Sequence, residues 1–344
     1  MKIVIMAGGK GNRFWPRSVE GKPKQFLALT SEETMLQLTY RRFAERLPAG
    51  DIYVVTAERY RALVMEQLPE LDESNLICEP DQRDTGPCVA LTAQRFLRLG
   101  EDDVLVTMPS DHHIPHIGEL FDVLRKAEPI AARDRTIVTL GITPTRPETN
   151  YGYIEAAADV SFDAAHRVRS FIEKPDIDKA RRLLKTPNVY WNSGIFIWKP
   201  STIAHYMRQH QPDMWNALQG SEEEVRTAYA DLPKLSVDYA ILEKAEHIYN
   251  IPVRFEWDDL GSWTSLERIR EADADGNIVH GDVYATESKG SIIFAEDRRT
   301  VVIGASDLII VSTAEGLLVC HKSQEHAIKS MVQRLEQHEG GMRE

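Results

Sequence analysis

KIVIMAGGKGNRFWPRS, residues 2–18, is the stretch whose reading decides the fold. Residues 2–7 form a short apolar run ended by Gly8 and Gly9, the pattern of a buried strand that stops at a turn. Glycines there let backbone N–H groups surround phosphate oxygens, because no Cβ intervenes. Arg13 can fork onto phosphate oxygens, and Lys24, just downstream, can add a point charge. Residues 10–24 hold five basic side chains against one acidic one. Two commoner phosphate loops are excluded. No Gly-Lys-Ser/Thr follows at P-loop spacing, and a dinucleotide fingerprint on Gly9 and Gly11 would need a third glycine where Phe14 stands.

Outward from this strand the chain alternates. Strand-like runs at 51–56, 75–78, 103–108 and 135–141 are interleaved with helical patterns at 34–47, 58–67, 87–99 and 118–132. That alternation predicts an α/β, Rossmann-like fold: a mixed, mostly parallel sheet with helices on both faces. Tyr151–Ile154, 167–172 and 194–198 read as strands that extend it. Beyond Gly276 the character changes to short Val- and Ile-rich segments at 282–286, 291–295, 300–303, 307–312 and 316–320. Gly290, Asp297, Gly304 and Gly316 punctuate them, which predicts a small β-helix-like appendage. A closing helix at 324–337 carries Ile328, Met331, Val332 and Leu335 at helical spacing. The expected domains are 1–275 and 276–344.

The formal net charge of -12 over 344 residues argues against a general binder of nucleic acid, whose phosphates require a basic surface. No run is long and apolar enough to span a bilayer, and nothing resembles a basic amphipathic surface helix. The apolar start gives way to glycines too soon for a secretory leader. Cys78, Cys88 and Cys320 are an odd number without a CxxC pair, which fits a reducing compartment, the cytoplasm. On so acidic a chain, an anionic substrate needs locally concentrated positive charge or a metal. The 10–24 segment supplies the first.

Other segments bear polar groups where sheet ligands bind. Glu79 to Pro87 follows a strand and precedes a helix, and Asp84 or Thr85 can cap that helix. Glu79 and Asp84 are acceptors there, suited to a ligand that presents N–H donors. Asp111 lies at the C-terminal end of a strand, where open α/β sheets bind ligands, and a carboxylate suits Mg²⁺. His112, His113 and His116 lack the Cys or Glu that would complete a zinc spacing. Asp258 and Asp259 sit in a turn, Glu173 and Lys174 follow a strand, and Asp238 reads as a helix N-cap.

GGKGNRFWPRS at 8–18, with PKQFL at 23–27, resembles the signature of the GDP-mannose pyrophosphorylases, or mannose-1-phosphate guanylyltransferases, among the sugar-1-phosphate nucleotidyltransferases. The resemblance runs from residue 1 to about 335 and implies a short form with one activity. It implies nucleotide binding at Ala7, Gly8, Gly9, Gly11, Arg13, Lys24, Glu79, Arg83, Asp84, Thr85 and Gly86. It implies sugar binding at Tyr151, Gly152, Glu173, Lys174, Asn192, Ser193 and Gly194, and Mg²⁺ on Asp111 and Asp259. Arg13, Lys24, Asp111, Lys174 and Asp259 would carry catalysis. Asp84 and Gly86 stand where the family usually has Asn and Ala, which bears on the base contacts. The implied reaction joins GTP and mannose 1-phosphate into GDP-mannose and pyrophosphate. A homodimer is expected, with the appendage and closing helix as candidate contacts. Another base or sugar, or a non-catalytic sensor of nucleotide sugars, are the alternatives.

Overall fold

The structure is a computed structural model that describes residues 1–9, 11–162 and 164–341; Lys10, one of the five basic side chains of the loop, lies outside the described residues. The chain divides into two compact units, one of residues 1–8, 39–110 and 114–257, the other of residues 9–38, 111–113 and 258–344.

The first unit is built on one sheet. Its strands are β1 (Lys2–Met6), β2 (Ile52–Ala57), β3 (Leu76–Glu79), β4 (Leu105–Pro109), β5 (Ile137–Ile142), β6 (Tyr153–Phe162), β7 (Ala165–Ile172), β8 (Val189–Trp198) and β9 (Ile248–Val253). They lie in the order β3-β2-β1-β4-β8-β5-β9-β7-β6. From β3 to β4 every pairing is parallel. Strand β8 then enters antiparallel between β4 and β5, and β5 pairs parallel with β9. Strands β7 and β6 continue antiparallel from β9, so the sheet is mixed: the alternation of elements accounts for the parallel part from β3 to β4, and the middle strands bring the antiparallel pairings.

Strands β2 and β5 are buried at every position, which requires cover on both faces. The helices of the chain are α1 (Met35–Ala44), α2 (Arg61–Gln67), α3 (Thr85–Arg98), α4 (Ile117–Ala131), α5 (Ile177–Leu183), α6 (Pro200–His210), α7 (Pro212–Ala217), α8 (Glu222–Tyr229) and α9 (Ile328–Gly341). Val4, Tyr53, Val55, Leu105, Phe196 and Trp198 of the sheet share one core with Phe96, Ile203, Met207, Trp215 and Tyr229 of α3, α6, α7 and α8. Strand alternation turns Ile3, Ile5, Ile52 and Val54 to the opposite face. Helix α4, no residue of which joins that core, packs on β5, β8 and β9.

Two parts of this unit escape the sequence pattern. Trp191 to Gly194 lie inside β8 rather than ahead of it. Asn, Ser and Gly read locally as turn residues, but pairing to β5 and β6 on either side keeps them extended. Strand β9 and helices α5 to α8 have no counterpart in the reading. In β9, Asn250 and Pro252 interrupt the alternation, yet Asn250 is fully buried.

The second unit carries a sheet of β10 (Ile278–Thr286), β11 (Ile292–Ile303), β12 (Leu308–Thr313) and β13 (Gly316–His321). The first three are parallel and β13 closes antiparallel on β12. Short parallel strands coiled through left-handed glycines at Gly290 and Gly304 make the expected β-helix-like form. Segments 291–295 and 300–303 are one strand, β11. Ile293, Val302 and Ile310 form a small cluster within this sheet, but its larger core is shared. Ile278, Ile292, Phe294, Ile309 and Val311 share it with Phe14, Leu27, Leu29 and Met35 and with Leu260, Trp263 and Leu266; Ile328 and Val332 of α9 complete it. The Trp263 ring lies 5.1 Å from Phe14 and 5.1 Å from Phe294. Phe14, the residue that breaks the dinucleotide fingerprint, is thus an anchor that ties the glycine loop to the C-terminal strands.

Among the described residues, no helix is long and apolar enough to cross a membrane.

Candidate active site

In the second unit, Lys24 gathers the charged candidates. It sits in a single turn (Lys24–Phe26) entered through Pro23, and is 6% exposed. Its Nζ lies 2.8 Å from Asp111 Oδ2 and donates to the Asp259 carbonyl at 2.6 Å. Burial alone would raise the Asp111 carboxyl, but Lys24 and His112 beside it hold it below the usual carboxylate range. Residues 111–113 and 258–259 meet through the backbone: His113 N–H donates to the Asp258 carbonyl at 2.9 Å, and Asp258 N–H returns to His113 at 3.2 Å. The two adjacent aspartates then separate in role. Arg268 forks onto Asp258, Nε to Oδ2 at 2.5 Å and Nη2 to Oδ1 at 2.9 Å. Asp259 Oδ1 accepts from Gly261 N–H at 2.9 Å. Between them and the glycine, Leu260 is held at φ 48 with its side chain wholly buried. A branched residue in left-handed backbone is unfavourable and persists only where packing fixes it. Arg13 Nη1 reaches the Gly261 carbonyl at 3.4 Å.

Not every basic residue of the loop belongs to this cluster. Arg17 is 9% exposed, pairs with Glu296 at 2.5 Å and donates to the Ala28 carbonyl at 2.9 Å. Its guanidinium also lies over the Phe294 ring. It fastens the loop to the C-terminal strands and is not part of the charge concentration read from the sequence. Gln25, inside the PKQF run, donates to the Gly9 carbonyl at 3.1 Å.

Asp111 and Asp259 each offer hard oxygen donors, and among the described residues no three His, Cys, Asp or Glu side chains converge as a metal cage. A sparse carboxylate set fits a small cation that keeps waters and takes phosphate oxygens from its substrate.

In the first unit, the end of β1 is pinned by its neighbours. Ala7 N–H donates to Val55, the Ala7 carbonyl accepts from Thr56, and the Gly8 carbonyl accepts from Gln82. Loop 79–86 is fastened to a second loop at 235–238. Leu235 N–H donates to the Arg83 carbonyl, Gly86 N–H to the Leu235 carbonyl, and Val237 N–H to Thr85 Oγ1. A Cβ on Gly86 would stand 2.6 Å from the Leu235 carbonyl oxygen, which accounts for glycine at that position. Arg83 pairs with Asp81 at 2.9 Å. Asp84 caps α3, its Oδ1 accepting from Thr85 N–H, in a backbone conformation with φ 70.

Glu79 is 3% exposed, and the Tyr229 hydroxyl donates to it at 2.6 Å. Burial pushes its carboxyl up to about 7, against the lowering effect of Tyr229 and Cys88. The folded protein therefore keeps this proton through a range, from about 4.5 to about 7, where the unfolded chain has lost it. The favourable contribution is complete below that range and lost as pH rises through it. Glu79→Gln, which cannot ionise, should melt above the wild type at pH 8, by up to about 3 kcal/mol, with the gap closed at pH 4.5. A pH-independent difference in melting temperature would contradict the assignment.

The sugar candidates are also in this unit. Glu173 and Lys174 follow β7, with Lys174 Nζ 2.6 Å from Glu173 Oε1 and Lys174 in left-handed backbone at φ 41. A Cβ on Gly152 would come within 2.6 Å of Glu173 Oε2, so glycine makes room for that carboxylate. Asn192 N–H donates to the Gly152 carbonyl at 2.8 Å. Tyr151 is buried edge-on to Trp191 and Trp257, and its hydroxyl accepts from Arg146 at 3.0 Å. Ser193 is 1% exposed and its Oγ accepts from Ile195 N–H. Gly194 takes φ 69. Asp238 is a correction. It does not cap a helix: the cap position is Val237, and the Asp238 carboxylate instead accepts from Asn192 Nδ2 at 3.1 Å. Ser236–Tyr239 also resembles the family's sequence, but a cap and an acceptor for a distant strand have the same local signature, so the pattern alone leaves Asp238 without a role.

Residues 2–276 match the nucleotidyl transferase family, and residues 281–335 match the MannoseP isomerase/GMP-like beta-helix domain. A mannose-1-phosphate guanylyltransferase of Salmonella muenchen is 37% identical over 346 residues, covering 96% of this chain and 72% of that one. The chain belongs to the mannose-1-phosphate guanylyltransferase family. The alginate biosynthesis protein AlgA of Pseudomonas aeruginosa is 34% identical, over 97% of this chain and 72% of its own length. A Thermus thermophilus structure described as a mannose-1-phosphate geranyltransferase superposes with a TM-score of 0.87 at 33% identity, covering 97% of this chain and 99% of that one. Nucleotidyl transferases typically use a divalent metal, for which the Asp111 and Asp259 carboxylates have the fitting chemistry.

Proposed function

We propose that this chain transfers GMP from GTP to α-D-mannose 1-phosphate, giving GDP-mannose and pyrophosphate. The carrying observation is the meeting of Lys24, Asp111 and the Asp259 segment in one charged cluster, on a chain whose relatives along nearly its whole length are mannose-1-phosphate guanylyltransferases. A sugar phosphate oxygen attacks the α-phosphorus in line and pyrophosphate leaves. A phosphate monoester is already largely ionised at neutral pH, so no general base is needed, and alignment with charge neutralisation carries the rate.

Arg13 and Lys24 neutralise the triphosphate, and Lys174 holds the phosphate of the sugar. The backbone of Ala7, Gly8, Gly9 and Gly11 lies along the triphosphate. Mg²⁺ held by Asp111 and Asp259 would supply Lewis-acid neutralisation of the phosphates when bound. The Arg268 fork on Asp258 supports Asp259 as the ligand of the pair. Arg83, Thr85 and Gly86 line the base. Of the two acidic candidates for guanine, exposed Asp84 is better supported than Glu79, which is 3% exposed and bonded to Tyr229. Tyr151, Gly152, Glu173, Asn192, Ser193 and Gly194 form the sugar side, with contacts through the backbone at Ser193. We place catalysis within residues 1–275, with 276–344 as the appendage, in the cytoplasm and in a homodimer.

Pyrophosphate release, measured with GTP or ATP and with mannose or glucose 1-phosphate, tests this reading. GTP with mannose 1-phosphate should be turned over fastest. Preference for another pair would replace the substrate assignment, and no release with any pair would remove the activity.

A further inference from the structure

Asp238 is the one acidic side chain of the sugar cluster to which the reaction as written gives no role. It begins the turn Asp238–Leu242, and it is brought there by the loop 235–238 that is bonded to Arg83, Thr85 and Gly86. Burial pushes its carboxyl up to about 6, helped by the neighbouring Glu173 carboxylate and by Asp84, against Lys174. A buried carboxylate is costly unless it is hydrogen-bonded.

Its contact with Asn192 supplies that bond. The Asn192 amide is held at both ends: Oδ1 accepts from Gly194 N–H at 3.1 Å, and Nδ2 donates to Asp238 Oδ1 at 3.1 Å. A primary amide has two donors and two acceptor lone pairs. These two bonds use one of each, and they forbid the flipped amide, which would set oxygen against carboxylate and N–H₂ against N–H. One N–H and one lone pair remain, in fixed directions. A vicinal pair of sugar hydroxyls, one accepting and one donating, is the ligand chemistry that such a half-satisfied amide takes.

We infer that Asp238 is a positioning residue that locks the Asn192 amide in the orientation that reads a pair of sugar hydroxyls. It acts through Asn192. The inference rests on the sugar-1-phosphate reading above and deepens it.

A double-mutant cycle on the full chain tests it, with separate KM values for mannose 1-phosphate and GTP and a thermal melt for each variant. Asp238→Ala should raise the KM for mannose 1-phosphate about tenfold, the scale of one oriented hydrogen bond, with the KM for GTP within about twofold of the wild type. Asp238→Asn, whose amide oxygen can still accept from Asn192, should recover most of that loss. In an Asn192→Ala background, Asp238→Ala should add nothing. Three results would each overturn the inference: full additivity with Asn192→Ala, an equal rise in the KM for GTP, or Asp238→Asn no better than Asp238→Ala. If Asp238→Ala does not fold, Asp238→Ser, too short to reach the amide, takes its place in the cycle. The wild type separates the two levels. Turnover with a different sugar 1-phosphate removes the mannose reading and moves the same cycle to that sugar, whereas an inactive wild type overturns both.

Discussion

Asp111→Asn is expected to lower kcat by ~10²–10³-fold, the usual cost of losing one preorganised charge at a site where charge develops. The substitution keeps the shape of the side chain and removes its negative charge. The native carboxylate is ionised at neutral pH because Lys24 and His112 outweigh the effect of burial. An amide oxygen is a weak ligand for a hard cation, and it leaves the Lys24 ammonium without its anionic partner. The fold should survive, since the amide oxygen and the Asp259 carbonyl can both still accept from Lys24. Steady-state pyrophosphate release beside a circular-dichroism melt separates the two effects. Asp259→Asn should behave alike. Near-normal turnover in both variants would remove the metal assignment. Loss of folding in Asp111→Asn would instead make its pair with Lys24 chiefly structural.

What could be read from the sequence divides along a physical line. Features fixed by local chemistry were legible: the strand ended by Gly8 and Gly9, the cap at Asp84, the parallel start of the sheet and the Val- and Ile-rich coils after Gly276. Features fixed by long-range partners were not. Arg17 and Lys24 look alike in a basic run, and only Glu296, some 280 positions away, distinguishes the fastening arginine from the lysine of the charged cluster. Asp258 and Asp259 are indistinguishable by spacing until Arg268 takes one of them. Asp238 carries the pattern of a cap, and its partner Asn192 comes from a strand whose own residues look like a turn. The C-terminal coils follow without a linker, which implies packing against the rest of the chain, but only the structure names the partners, Phe14 and Trp263, in their larger core. A truncation that removes them would therefore strip the apolar support from the glycine loop itself.

That loop is the place where a single methyl group should do most damage. Gly11 has φ 62, a region that costs an ordinary residue about 1–2 kcal/mol. A Cβ there would stand 2.5 Å from Lys24 Cβ and 2.8 Å from Lys24 N. The second contact is with backbone in a turn held by Pro23 and by the bond from Gln25 to Gly9, so the segment cannot give by rotating a side chain. Gly11→Ala must displace Lys24, and with it the contacts to Asp111 and to the Asp259 carbonyl. Since a misplacement of about 1 Å can cost roughly 10²-fold, kcat should fall by about that factor, and the KM for GTP should rise. The melting temperature should drop by several degrees, as for a strained core position. Gly9→Ala is the matched control for stability: a Cβ at Gly9 meets nothing within 4 Å, and its melt should follow the wild type. Wild-type turnover in Gly11→Ala would show that the charged cluster tolerates movement of Lys24, and the electrostatic account of the site would lose its central residue.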